Sequence, residues 1–250
     1  MKLIGYFLVI FKKEFKETFS NPQVIIPSLI LPFIMLIIFP LTTLFALYIS
    51  KDSSVATLLE ESKINFNYAI NGIFPLYFLI VSLTLSSIFS ASSFVAEKEG
   101  QTIESIFYTP IKISDLFISK IFTIFSMVMF IILIFFILFC IIVNFFSLKI
   151  YGEISFPDLK WVLFIFWFIP SFLFLFISII VWISSGTKTF IAAQQIAGML
   201  IFPIIFLYLY LSKFENQIAS HFYGGLIVFL ISIFFIKFQS SRWKYEKFLK

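Results

Sequence analysis

The chain has 250 residues, of which 61% are hydrophobic, 21% aromatic and 12% charged, and its mean hydropathy is +1.07. A soluble domain is roughly half apolar and about a quarter charged, so this chain has too little polar surface to cover a core in water and too much apolar surface to stay disordered. Its net charge of +5 fits the excess of Lys and Arg that membrane proteins keep in cytoplasmic loops better than it fits nucleic-acid binding.

The first predicted element is an amphipathic helix over residues 1–20. Leu3, Phe7, Phe11, Phe15 and Phe19 recur every four residues, while Lys12, Lys13, Lys16 and Glu17 fall on other faces. Such a helix lies in the membrane interface. Its basic cluster follows the first apolar stretch and no small-residue cleavage pattern follows, unlike a secretory signal. Asn21-Pro22 is expected to end it and turn the chain into a first span.

Six stretches then run free of Asp, Glu, Lys and Arg: Thr18–Ser50, Ile64–Ala96, Ile121–Leu148, Trp161–Thr187, Thr189–Ser212 and Asn216–Ile236. A membrane helix needs about 20 largely apolar residues, whereas an outer-membrane barrel shows short alternating segments. The expectation is an all-α membrane protein, one transmembrane domain over residues 1–250 with six transmembrane helices. Six spans put both termini on one side. With that side cytoplasmic, 13 of the 18 basic residues lie inside, among them Lys98, Lys112, Lys120, Lys188 and a basic tail over 238–250. Lys51, Lys63, Lys149, Lys160 and Lys213 lie outside. The asymmetry predicts a multi-pass protein of the cell membrane with both termini in the cytoplasm.

The 39 Phe residues read as lipid-facing surface. Pro27, Pro32 and Pro40 fall within the first span and Pro203 within the fifth. Proline removes a backbone bond that neighbours must replace, so Pro27, Pro32 and Pro203 are candidate hinges or else static packing features.

Charge-free spans count against a proton-driven antiporter and a voltage sensor. They also lack the two carboxylates of an aspartyl protease. His221 is the only histidine and Cys140 the only cysteine, which leaves no zinc cluster and no disulfide. No glycine opens a Gly-x4-Gly-Lys-Ser/Thr pattern, so ATP hydrolysis would have to reside in another polypeptide.

The longest inner loop is Glu97–Lys120. Ile103, Ile106 and Phe107 make an apolar helical face, with Gln101, Glu104, Ser105 and Tyr108 on a polar one. Thr109-Pro110 reads as an N-cap and first-turn proline. This pattern serves equally a helix that docks into a partner's groove and a hairpin that rests on headgroups.

The same segment resembles the hallmark of ABC-2-type membrane proteins, the permease subunits of one class of ABC exporter. The positions that carry the likeness are Glu97, Lys98, Glu99, Thr102, Glu104, Thr109, Pro110 and Lys120. Gln101 stands where that family commonly has Gly, and Ser119 replaces the Gly before Lys120. A second likeness runs from Ser184 and Ser185 through Lys188 to Ala193, Gln194 and Gln195. The resemblance implies a permease without catalytic residues or cofactor of its own, paired with a second permease chain. It also implies a separate ATPase carrying ATP and Mg, a coupling hairpin over 97–112, and an N-terminal connector helix. It implies ATPase-coupling roles for Glu97, Glu99, Thr102, Glu104, Pro110 and Lys120, with Ser185, Lys188, Gln194 and Gln195 at a second inner turn. The alternative reading is an ion-coupled secondary transporter or channel not powered by ATP. Neither motif names the cargo.

Overall fold

In the computed structural model, residues 2–50, 64–99, 113–150, 152–154, 156–184, 189–214 and 216–240 are described, and every regular element among them is helical. Six helices are long and apolar enough to cross a membrane: Pro22–Ile49, Ile64–Ser93, Asp115–Ile150, Leu159–Ile183, Phe190–Leu211 and Gln217–Gln239. They are spans 1 to 6 below. Helix α1, Lys2–Ser20, precedes span 1. Successive spans run in opposite directions, so the bundle has a near end, which carries α1, and a far end.

The break between α1 and span 1 follows from two residues. Asn21 leaves helical geometry (φ −97°, ψ 108°), and its Oδ1 accepts the Gln23 N–H at 3.0 Å. Pro22 takes the first helical position, where its missing N–H costs nothing. Asp158, Thr189 and Asn216 start spans 4, 5 and 6 in the same way, accepting from the N–H groups of Trp161 (3.1 Å), Ala192 (3.3 Å) and Ala219 (3.1 Å).

The spans follow the charge-free stretches closely, with one correction that matters. The third helix, Ile113–Ile150, extends well below its apolar stretch and takes in Asp115 and Lys120. Lys120 therefore lies inside the bundle rather than in a loop, because the helix continues past the residue where the charge-free run begins. Spans 4 and 6 also include Lys160 and Lys237 near their ends.

Spans 2 and 4 form the centre, with 67% of each most apolar window buried, against 11% in span 5. Span 4 packs on spans 2 and 6, while span 2 also meets spans 3 and 5. Serine-rich span 2 tolerates burial because its hydroxyls donate back to its own carbonyls: Ser82 to Phe78, Thr84 to Ile80 (2.7 Å), Ser86 to Leu83 (2.8 Å) and Ser87 to Thr84 (2.9 Å). Ala91 of span 2 and Ala193 of span 5 are fully buried where the two helices meet, the small-residue contact that lets membrane helices approach closely.

At the far end, Trp161 sits among the rings of Phe78, Phe136, Phe139, Phe156 and Phe164, with centroids 5.2–6.0 Å away. Asn144 of span 3 pins the loop that leads there. Its Nδ2 donates to the Phe156 carbonyl at 2.7 Å, and its Oδ1 accepts the Phe156 N–H at 3.2 Å. Asn144→Leu deletes both bonds and strands two backbone groups, so a loss of about 1–3 kcal/mol is expected. Faster proteolytic cutting at 152–157 in detergent-solubilised protein, with the spans intact, is the measurement.

Spans 1, 2 and 4 each contain one wide, π-helical turn: Ile34–Ile38, Ala69–Ile73 and Phe164–Phe168. A proline follows each by two residues: Pro40, Pro75 and Pro170. The cause is steric. A proline ring collides with the carbonyl four residues back, here Leu36, Asn71 and Phe166, and each of these is the middle residue of its wide turn. Pro27 and Pro32 lie within the α-helical segment Pro22–Phe33, and Pro203 within Phe190–Leu211, with no such widening. Widened turns thus accompany Pro40, Pro75 and Pro170, while the candidate hinges Pro27, Pro32 and Pro203 lie in α-helical segments.

Candidate functional site

At the near end three elements meet at one ion pair. Lys120, near the start of the span 3 helix, is 2% exposed, and Glu14 of α1 is 3% exposed. The Lys120 Nζ lies 3.1 Å from Glu14 Oε1 and donates to the Ser93 carbonyl of span 2 at 2.7 Å. Glu14 Oε1 has no aligned hydrogen bond, so its contact with Lys120 is ionic in character. Each charge would be costly alone at this depth, and each makes the other's burial tolerable.

Sequence position explains why this joint is mechanically placed. Ser93 lies four residues before Glu97, and Lys120 lies ten residues after Pro110. The helices that lead into and out of the segment 97–112 are therefore tied to each other and, through Glu14, to α1. The hydroxyls of Ser90, Ser93 and Ser119 are buried nearby in sequence without hydrogen-bond partners, leaving the neighbourhood polar and incompletely bonded. The arrangement holds no nucleophile–base pair. Among the described residues no group of three His, Cys, Asp or Glu residues gathers to hold a metal.

Among the predicted site residues, Glu97 and Glu99 belong to the last turn of the helix Phe74–Glu99, which continues span 2 beyond Ser93. Thr102, Glu104 and Pro110 lie outside the described residues, as do Ser185 and Lys188. Gln194 and Gln195 occupy the early turns of span 5, half-buried and exposed respectively. Lys120 is buried, and its Nζ meets Glu14 and the Ser93 carbonyl. Pro27 and Pro203 are exposed, and Pro32 is buried against the body.

Glu14 is the residue that sequence reasoning missed. The signal was present: Glu14 and Thr18 stand four residues apart, one turn of α1, and so share a side of it. In the structure Glu14 and Thr18 face the bundle, while Phe15 is 40% exposed and stacks on Phe11 and Phe19 at centroid distances of 6.0 and 4.3 Å. The phenylalanine row and the docking face of α1 are thus different stripes of one helix.

Six helices long and apolar enough to cross a membrane, with the N-terminal helix α1 held to them by a buried ion pair, define a helical membrane bundle. The family model for the ABC-2 type transporter matches residues 6–211. The chain belongs to that family, as the permease component of an ABC-type transporter and a multi-pass membrane protein. The match runs from α1 through span 5 and stops before span 6. No curated protein and no solved structure matches the chain.

Proposed function

We propose that this chain is the permease half of an ATP-driven exporter, moving substrate outward when a separate ATPase subunit hydrolyses Mg-ATP. Two permease chains, identical or related, enclose the path, and both termini face the cytoplasm. The segment 97–112 receives the ATPase's movement, and α1 lies along the inner membrane surface. The observation that carries this reading is the Glu14–Lys120–Ser93 joint, which ties α1 to the helices flanking that segment. A displacement of the segment would be passed to α1 and to spans 2 and 3 together.

Glu97, Glu99, Thr102, Glu104 and Pro110 are the residues assigned to ATPase contact, with Gln194, Gln195, Ser185 and Lys188 at the neighbouring inner turn. Glu104→Lys is expected to abolish ATP-dependent efflux from inverted vesicles by reversing charge at the contact, while leaving insertion and ATP hydrolysis intact. Efflux equal to the unaltered protein would remove Glu104 from that role. Co-purification with an ATPase chain, and loss of transport on ATP depletion, test the reading as a whole. Transport that continues on an ion gradient alone would instead identify a secondary transporter.

A further inference from the structure

At the far end, spans 2, 4 and 6 enclose a small chamber of about 10 Å³, lined by Asn71, Pro75, Lys160, Trp161, Phe164, Gln217 and His221. Two of its walls come from the wide turns at Ala69–Ile73 and Phe164–Phe168, a geometry often found where helices are shaped for a ligand. His221 is 5% exposed and Trp161 2%. Both His221 ring nitrogens and Trp161 Nε1 are buried without a hydrogen-bond partner. Buried polar atoms are almost always paired, so three orphans on two residues of one chamber point to a guest.

The chemistry of the walls selects the guest. Lys160 and Trp161 can only donate, a neutral histidine offers one donor and one acceptor, and the two amides offer both. No carboxylate lines the chamber, and one cation does. An acceptor guest pairs Trp161 Nε1 and the donor nitrogen of His221, two of the three orphans, and negative charge is favoured by Lys160 and by the amino-terminal end of span 6, where Gln217 sits in the first turn. The volume admits about one oxygen atom. The inserted atom is thus one oxygen of a larger group whose remainder stays at the mouth. A larger cleft of about 580 Å³ against the other side of span 6 is lined mainly by Leu211, Phe214, Tyr223 and Ile227 and contains no orphaned polar atom, so polar recognition belongs to the small chamber.

We propose that the chamber binds a phosphoryl oxygen, with Trp161 and His221 holding the oxygen and Lys160 the charge of the phosphate outside. Its residues lie near the far ends of spans 2, 4 and 6, the ends of the apolar helices, where a bilayer's headgroup layer would meet the protein. His221 and Gln217 fall beyond the family match, which ends at residue 211, while the other five lining residues fall within it.

Native mass spectrometry of the full-length protein in detergent tests it, with phosphatidylglycerol, diacylglycerol and inorganic phosphate as separate additions. Retained phosphatidylglycerol with little diacylglycerol supports a headgroup site, and equal competition by inorganic phosphate supports the same oxyanion site filled from solution. His221→Phe and, separately, Lys160→Gln are expected to weaken phosphatidylglycerol binding about tenfold each. A thermal readout guards against misfolded variants. Phosphatidylglycerol should raise the melting temperature of the unaltered protein and of a Phe45→Leu surface control, but not that of His221→Phe. Equal retention of phosphatidylglycerol and diacylglycerol overturns the proposal. So does a His221→Phe protein that is more stable without lipid and keeps its lipid response, since that is the behaviour of a dry chamber relieved of two unpaired nitrogens.

Discussion

Lys120→Met is expected to cost about 3–5 kcal/mol, because it leaves Glu14 charged and unpaired in the interior. Glu14→Gln should cost less than Lys120→Met, since Lys120 keeps the Ser93 carbonyl at 2.7 Å. Combining Glu14→Gln with Lys120→Met removes both charges and should recover most of the loss. The coupling energy from that double-mutant cycle is the quantity to measure, by thermal unfolding in one detergent. Additive losses would mean that the 3.1 Å contact contributes nothing as a pair. Function separates from stability in the double variant. It should fold with α1 docked less firmly, and ATP-driven efflux should fall even where the melting temperature recovers. Full efflux from a stable double variant would leave the pair a purely structural role.

The second large effect is expected at Trp161→Ala. Five phenylalanine rings surround this indole at centroid distances of 5.2–6.0 Å. In water, truncating a buried aromatic residue costs about 3–5 kcal/mol, part of it the lost transfer of apolar surface. That part shrinks in a bilayer, where lipid is as apolar as the core, so packing and the residual cavity set the cost. A loss of roughly 2–4 kcal/mol follows. Trp161→Phe should lose clearly less. Because Trp161 bridges spans 2, 3 and 4, the alanine variant should also expose Phe78 and Phe139 to apolar dyes. A melting temperature within a degree of the unaltered protein would show that the cluster collapses onto the vacated space.

The six spans were legible because nothing but charge has to be read to find them: an uninterrupted apolar run of this length has one home. The break at Asn21-Pro22 was legible because side-chain capping and proline act within three residues. Glu14 and Lys120 were harder. They are 106 positions apart in the chain, and each alone has the look of an ordinary membrane-edge charge. Their partnership exists only once α1 lies across the base of span 3, which is a tertiary fact. The chamber at His221 is of the same kind, since its walls come from three spans. The prolines show a third kind of limit. Their presence was plain, yet only the backbone reveals that Pro40, Pro75 and Pro170 widen the helix while Pro27, Pro32 and Pro203 do not.

Those widened turns bear on which length changes the chain can accept. The buried positions of span 1 are Val24, Ser28, Pro32, Leu36, Pro40 and Leu44, a spacing of four throughout. A uniform α-helix advances 100° per residue and so drifts about 40° at each such step, carrying the stripe around the helix. The turn at Ile34–Ile38 takes back part of that drift, much as a leap day holds a calendar to the seasons. Losing one residue there would let the turn relax to α, and its tighter winding would offset most of the roughly 100° lost with the residue, so Pro40 and Leu44 would keep roughly their facing. A deletion of one residue is therefore absorbed at the widened turn, whereas the same deletion in the α-helical segment Pro22–Phe33 would turn everything beyond it by about 100°.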